Sequence, residues 1–194
     1  MLTLRSSRSP EELDALSARI MSRLLELQEI RNAGVISIYL HIGSEVRTLN
    51  VLHWLLSHDK TVIVPITDKA NRRLIFSQIE FPERELMEGT FGILEPKPEY
   101  RKPFPLEEAD VIIVPGVAWD LRGYRLGYGA GYYDRSITSL HSSMSKIGLS
   151  YELQIVEHIP NNRFDRRVDK LVTEQRVINT SQDEKRDANC TCVQ

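Results

Sequence analysis

Apolar residues recur every three or four positions from Leu13 through Leu16, Ile20 and Leu24 to Leu27, which places them on one face of a helix. Ahead of them, Ser9-Pro10-Glu11-Glu12 reads as a helix start: Ser9 caps, Pro10 takes the first helical position and Glu12 closes a capping box. Asn32 with Gly34 supplies the stop. Val35 to Leu40 is then a short apolar, partly β-branched run and predicts a buried strand. Helical spacing returns at Leu49, Leu52, Leu55 and Leu56 within Thr48 to His58, followed by a second β-branched run from Thr61 to Ile66. Strand, helix, strand predicts a right-handed crossover onto a parallel sheet whose faces are covered by helices.

A polar turn, Asp68 to Arg73, precedes a strand from Leu74 to Ile79, which makes the sheet mixed. Phe81 to Pro105 holds five of the nine prolines together with Gly89 and Gly92, and predicts an ordered loop across the surface. Ala109 to Val114 reads as a buried strand ending at Pro115-Gly116. Beyond a glycine-rich stretch, Gly123 to Gly131, the pattern predicts a helix from Tyr132 to Leu140 and a strand from Lys146 to Leu149. A short helix near Gln154 to Glu157 and a final strand from Leu171 to Ile178 follow. No repeat or linker divides the chain, so residues 1–179 are expected to form one α/β domain, with 180–194 a flexible polar tail.

Composition narrows the function classes. With 194 residues, 41% of them hydrophobic, the chain is long enough to fold without a disulfide or metal staple. A net charge of −2 shows no basic excess, which argues against a nucleic-acid binder. Apolar runs such as Val111 to Val114 are far short of the ~20 residues of a membrane span, and Met1 to Pro10 lacks the apolar centre of a secretion signal. A cytoplasmic monomer is expected. Cys190 and Cys192 fall in the tail, where a lone C-x-C offers too few ligands for zinc.

The chemistry concentrates near residue 125. In Gly127-Tyr128-Gly129-Ala130-Gly131, three glycines alternate ahead of a predicted helix, with Arg125 just upstream. Glycines let backbone N–H groups approach phosphate oxygens, and Arg125 adds a charged fork, so the segment reads as an anion cradle or as a tight structural turn. Its spacing matches neither the Walker A motif nor G-x-G-x-x-G. Asp134, Asp165 and Asp169 are candidate oxygen ligands for magnesium, with helix capping or ion pairing to Arg135, Arg166 and Arg167 as the alternative. The five histidines show no metal-ligand spacing, and His41 alone is placed near a substrate. Nothing resembles a serine or cysteine nucleophile paired with a base.

Val114-Pro115-Gly116-Val117-Ala118-Trp119-Asp120 followed by Gly123 to Arg135 closely resembles the signature of the 5-formyltetrahydrofolate cyclo-ligase family. Further similar pieces occur in the same order: Ser9 to Glu12, Tyr39-Leu40 with Gly43 to Val46 and Thr48, Gly92 to Pro96, Ile147-Gly148, Asp165 with Val168-Asp169, and Thr173-Glu174. The resemblance implies a three-layer α/β fold of the kind shared with ribose-phosphate isomerase and CoA transferases, a mixed, mostly parallel sheet with helices on both faces. It also implies ATP- and magnesium-dependent closure of 5-formyltetrahydrofolate to 5,10-methenyltetrahydrofolate.

Carried over by position, Arg125, Leu126, Gly127, Tyr128, Gly129, Ala130, Gly131, Tyr132 and Tyr133 bind the nucleotide, with Arg125 and Tyr132 catalytic. Leu40, Glu45 and the stretch Tyr128 to Tyr132 contact the reduced folate, and Asp134 and Asp165 hold the metal. Read without the resemblance, Glu45 simply begins the helix at Thr48. Trp119 forms either a wall beside the pterin or part of the core. The family pattern opens with a basic helix that reaches the nucleotide; Met1 to Arg8 stand in that place, with Arg5 or Arg8 as candidate substitutes. Ala130 replaces a lysine or glycine, and Phe164 a histidine. These departures keep two alternatives open: a folate- or nucleotide-binding regulatory module without turnover, and the same chemistry on a related pterin.

Overall fold

The strands predicted at Val35, Thr61 and Ala109 lie side by side at the centre of one sheet. In this computed structural model, which describes residues 1–137 and 143–180, the first half of the chain forms α1 (Leu2–Ser6), α2 (Pro10–Glu26), α3 (Gln28–Asn32), β1 (Val35–Ile38), α4 (Leu49–Ser57), β2 (Thr61–Asp68) and β3 (Arg73–Ile79). The proline-rich stretch contributes α5 (Pro82–Glu85), β4 (Leu86–Glu88), β5 (Leu94–Pro96) and β6 (Lys102–Pro103). There follow β7 (Val111–Val114), β8 (Ala118–Asp120), β9 (Arg125–Leu126), α6 (Tyr132–Ile137), β10 (Ser145–Leu149), β11 (Ile155–Val156), β12 (Lys170–Val172) and β13 (Val177–Asn179).

The main sheet runs β13-β12-β10-β7-β1-β2-β3-β6. Its five central strands are parallel, and the antiparallel pairs lie at the two ends, β12 with β13 on one side and β2 with β3 and β3 with β6 on the other. Alternation along each strand divides the core into two layers. Ile36, Ile38, Val62, Val64, Val111 and Ile113 meet Ile20, Leu24, Leu52 and Leu55 from α2 and α4 on one face. On the other, Ile63, Ile112 and Val114 pack with Trp119, Ile137 of α6 and Leu171. The expected three-layer α/β architecture is observed.

Several local readings are corrected. The predicted first helix breaks at Leu27, whose extended ψ of 135° separates α2 from α3 and turns Ile30 into the core. Its capping box is present: the Glu12 amide donates to Ser9 Oγ at 3.2 Å and the Ser9 amide to Glu12 Oε2 at 3.1 Å. The Phe81 to Pro105 loop contains the β4–β5 hairpin and pairs β6 with β3. The predicted helix at Gln154 is a single 3-10 turn, Glu152–Gln154, leading into β11. Leu171 to Ile178 is a hairpin of two strands, because the Thr173 hydroxyl accepts from the amides of Gln175 and Arg176 and turns the chain. Thr180, assigned to the tail, is buried and donates its hydroxyl to the Val168 carbonyl, so it belongs to the fold. The end of the helix at Leu140, His141 and the remainder of the tail with both cysteines lie outside the described residues.

Candidate functional site

A cleft of about 970 Å³ opens where the central parallel strands end. Tyr39 and Leu40 follow β1 into it, Pro65 and Thr67 enter from β2, and Pro115 and Gly116 from the end of β7. Open α/β sheets bind ligands at this carboxyl edge. Two loops build its walls: residues 42–45 between β1 and α4, and the glycine-rich segment between β9 and α6.

Glu45 sits at the first wall, 5% exposed. Gly43, at φ +55°, turns the chain so that Glu45 Oε2 accepts from the Ile42 amide at 3.0 Å while the Glu45 amide donates to the Ile42 carbonyl at 3.1 Å. Burial pushes its carboxyl above the ordinary glutamate range, against the Ile42 N–H, the Arg5 charge and the Tyr128 hydroxyl, which favour the anion. The carboxylate is thus turned away from capping α4, whose N-terminal residue Thr48 makes no side-chain cap.

Arg5 joins the two walls. From α1, with 3% of its surface exposed, it donates to Ser44 Oγ at 3.0 Å, to the Tyr128 hydroxyl at 3.2 Å and to the Gly116 carbonyl at 3.5 Å. Of the two arginines considered as substitutes for the family's basic helix, Arg5 reaches the cleft. Arg8 pairs instead with Glu12 at 3.7 Å on the surface.

Along the glycine loop, Leu126 and Tyr128 are exposed, and Gly129 and Gly131 have φ of +86° and +63° that favour glycine. Gly127 is different. Its φ is not positive, and a Cβ added there would meet no atom within 4 Å, so nothing inside the protein calls for a glycine. The Ala130 carbonyl accepts from Arg135 Nη2 at 2.8 Å, and the Arg135 guanidinium lies 5.4 Å from the centre of the Tyr132 ring. Burial and the Glu45 charge push the Tyr133 hydroxyl far above the usual tyrosine range, against Arg125, so it stays a neutral donor.

At the other end of the cleft, Arg125, Asp134 and Asp165 gather. Arg125 Nη2 donates to Asp134 Oδ1 at 2.8 Å, its Nη1 donates to the Arg166 carbonyl at 2.9 Å, and Asp134 Oδ1 also accepts from the Arg166 amide at 3.1 Å. Burial pushes the Arg125 guanidinium down, while Asp134 and, more weakly, Tyr133 and Asp165 hold it charged. Asp165 Oδ2 accepts from the Asn162 amide at 2.7 Å, closing a turn. Asp134 itself lies in the first turn of α6. Among the described residues no three His, Cys, Asp or Glu side chains converge as a metal cage. Two carboxylates at one end of a cleft nevertheless suit magnesium, which keeps waters and takes its other ligands from substrate phosphates.

The glycine-loop wall rests on a buried support. Asp120, fully buried at the end of β8, accepts from the amides of Arg122, Tyr124 and Ile159 and from the Arg122 guanidinium, at 2.7 Å for the shortest contact. It thereby ties the base of the glycine loop to the Ile159–Pro160 edge of the cleft. Of the two readings of Trp119 the core one holds, and neither His41 nor Asp169 lines the large cleft. Trp119 is not a wall of the cleft: it is fully buried beneath Gly116 and Gly148, where an added Cβ would come within 2.6 Å of its ring. His41 faces a separate cleft of about 410 Å³ with Asp14 and Arg47, and its Nδ1 accepts from the Thr48 amide at 3.2 Å. Asp169 lies away from the cleft, pairing with Lys146 at 2.8 Å. Tyr39, Ser44 and Gly116 are cleft residues that the sequence did not mark for contact.

The sequence profile described as the 5-formyltetrahydrofolate cyclo-ligase family matches residues 1–174. A 5-formyltetrahydrofolate cyclo-ligase of Haemophilus influenzae is 31% identical over 75% of this chain and 79% of its own. The solution structure of 5,10-methenyltetrahydrofolate synthetase from Aquifex aeolicus superposes with a TM-score of 0.80 at 35% identity, covering 92% of this chain and 88% of that one. The fold is also that of the Mycoplasma pneumoniae 5,10-methenyltetrahydrofolate synthetase, at a TM-score of 0.71 and 23% identity over 89% of this chain and 93% of that one. The residues that shape the cleft, from Arg5 to Asp165, fall inside the matched span, and the chain belongs to the 5-formyltetrahydrofolate cyclo-ligase family.

Proposed function

We propose that this chain catalyses the ATP- and magnesium-dependent closure of 5-formyltetrahydrofolate to 5,10-methenyltetrahydrofolate, releasing ADP and phosphate, as a cytoplasmic monomer. The observation that carries this reading is one cleft in which Arg5 joins the Glu45 loop to the glycine loop. A folate-sized substrate and a nucleotide phosphate chain need two such walls side by side. Membership of the family supports the reaction, and no helix among the described residues is long and apolar enough to cross a membrane.

The formyl oxygen takes the terminal phosphoryl group of ATP, N10 attacks the activated formyl carbon and loses its proton, and the carbon–oxygen bond breaks as phosphate leaves. No protein nucleophile is required. The protein positions the reactants and neutralises charge. Leu126 to Tyr133 present backbone amides to the phosphates, and Arg125 and Tyr132 act at the transferring group as cation and hydroxyl donor. Leu40 and Glu45, with the stretch Tyr128 to Tyr132, hold the pterin, the Glu45 carboxylate accepting from its paired N–H donors. Asp134 and Asp165 would hold magnesium, which when bound supplies charge neutralisation at the phosphates.

The alternative of a binding module without turnover rests on the departures at Met1 to Arg8 and at Ala130, and Arg5 on α1 weakens the first of these grounds. The test is direct. Purified protein with 5-formyltetrahydrofolate, ATP and magnesium is expected to show an ATP-dependent rise in the near-ultraviolet absorbance of the methenyl product. Binding of both ligands without that rise would return the binding module, and turnover of another pterin in a substrate panel would reassign the substrate.

A further inference from the structure

The backbone from Glu45 to Arg47 lies in neither helix nor strand, yet three of its polar groups are satisfied by buried hydroxyls. The Arg47 amide donates to Ser17 Oγ at 3.0 Å, Ser17 Oγ lies 3.0 Å from the Tyr151 hydroxyl, and that hydroxyl donates to the Glu45 carbonyl at 3.2 Å. Between them, the Tyr39 hydroxyl donates to the Val46 carbonyl at 3.3 Å.

Each hydroxyl carries one hydrogen, which fixes the direction of the chain. Since the Tyr151 hydrogen goes to Glu45, the Ser17 hydrogen goes to Tyr151, and Ser17 Oγ is left to accept from Arg47. Ser17 is 3% exposed and Tyr151 fully buried, so the Ser17–Tyr151 and Tyr151–Glu45 bonds are shielded from water. They reach the loop from different parts of the fold, α2 and the residues after β10, 134 positions apart. Neither side chain lines the large cleft; Ser17 borders the smaller one on the His41 side of the same loop.

We propose that Ser17 and Tyr151 are positioning residues that fix the Glu45 carboxylate in register with the reduced folate. This rests on the reading of the cleft as a folate site. Tyr151→Phe keeps the ring and removes only the hydroxyl, leaving a buried carbonyl without its donor. Loss of one buried hydrogen bond is expected to raise KM for 5-formyltetrahydrofolate about tenfold. KM for ATP should stay within about twofold, because the glycine loop is untouched.

A double-mutant cycle separates positioning from general damage. In a Glu45→Ala background, adding Tyr151→Phe is expected to leave the folate KM unchanged, since the group it positions is gone. Full additivity of the two changes, equal rises in both KM values, or a lowered melting temperature with unaltered kinetics each overturn the proposal. If Tyr151→Phe does not fold, Ser17→Ala is put through the same cycle and decides it. Wild-type turnover is measured first. Should it be absent, the functional reading fails by itself, and calorimetric affinities of the same variants for 5-formyltetrahydrofolate decide the positioning role.

Discussion

Arg125 and Asp134 are bonded to each other at 2.8 Å, and the Arg125 side chain is 5% exposed, so the proposed phosphate cation and the proposed metal carboxylate form one pair. Arg125→Ala removes the cation and leaves a carboxylate facing the cleft. The expected result is a rise in KM for ATP of about tenfold to a few hundredfold, the equivalent of roughly 1.5 to 3 kcal/mol for a charge-assisted bond. Arg125→Lys restores charge without the two-pronged donor and should recover only part of it. Steady-state kinetics at varied ATP check both; unchanged ATP kinetics would place Arg125 outside the site.

The two aspartates should behave differently in stability but alike toward metal. Asp165→Asn keeps an oxygen that accepts from the Asn162 amide and should cost less than about 1 kcal/mol. Asp134→Asn takes the charge from beside Arg125 and, with Asp134 part-exposed, should cost about 1 to 3 kcal/mol. Both are expected to raise the magnesium concentration at half-maximal activity. Magnesium titrations at fixed ATP, set beside melting curves, test this, and a purely thermal phenotype ends the metal assignment.

Glu45 makes a prediction about pH. Its carboxyl is raised by burial, so the folded protein holds this proton more tightly than the unfolded chain, where glutamate titrates near 4.3. The contribution of Glu45 to stability is therefore greatest in acid and declines as pH climbs from the unfolded value through the folded one. Glu45→Gln cannot titrate and should show a flatter melting temperature across that range. KM for the folate should worsen in the wild type as pH falls through the same interval, with the midpoint above the ordinary glutamate value. A midpoint at or below it would show that Glu45 does not act as the anion.

Gly127 and Gly129 separate ligand from fold. Gly129→Ala forces a side chain onto φ +86° and should cost about 1 to 2 kcal/mol in a melting experiment. Gly127→Ala meets open space and should leave stability within about 0.5 kcal/mol, yet weaken ATP binding through its methyl group. An alanine at 127 with normal ATP affinity would remove the backbone there from the nucleotide site.

What the sequence revealed follows how local each cause is. The start of α2 was legible because its capping box closes within four residues, and β1, β2 and β7 because strands buried on both faces read as nearly continuous apolar runs. The Leu171 to Ile178 hairpin carried a readable cue, the polar Thr173 to Arg176, but the apolar ends outweighed it. Strands as short as β9 or β11 have no periodicity to read. At the site, the glycines were visible, but which of them serve the fold and which the ligand depends on φ and neighbours. The position of Arg5 could not be read locally, since it depends on residues 39, 111 and 123 positions away.

Those separations bear on how the protein is made. Synthesis delivers Arg5 first, but its partners emerge much later, and Tyr128 comes only after the central strands β1, β2 and β7 have been translated. The first turn of helix can meet Ser44 early but cannot complete its contacts until two-thirds of the chain has left the ribosome. Contacts between sequence-distant residues bring a loop-closure penalty that must be met before they stabilise anything. A nascent fragment ending before the glycine loop can form helices and part of the sheet but cannot join the two walls. The joined cleft is accordingly a property of the longer chain, and translation products that stop before the glycine loop are born without it.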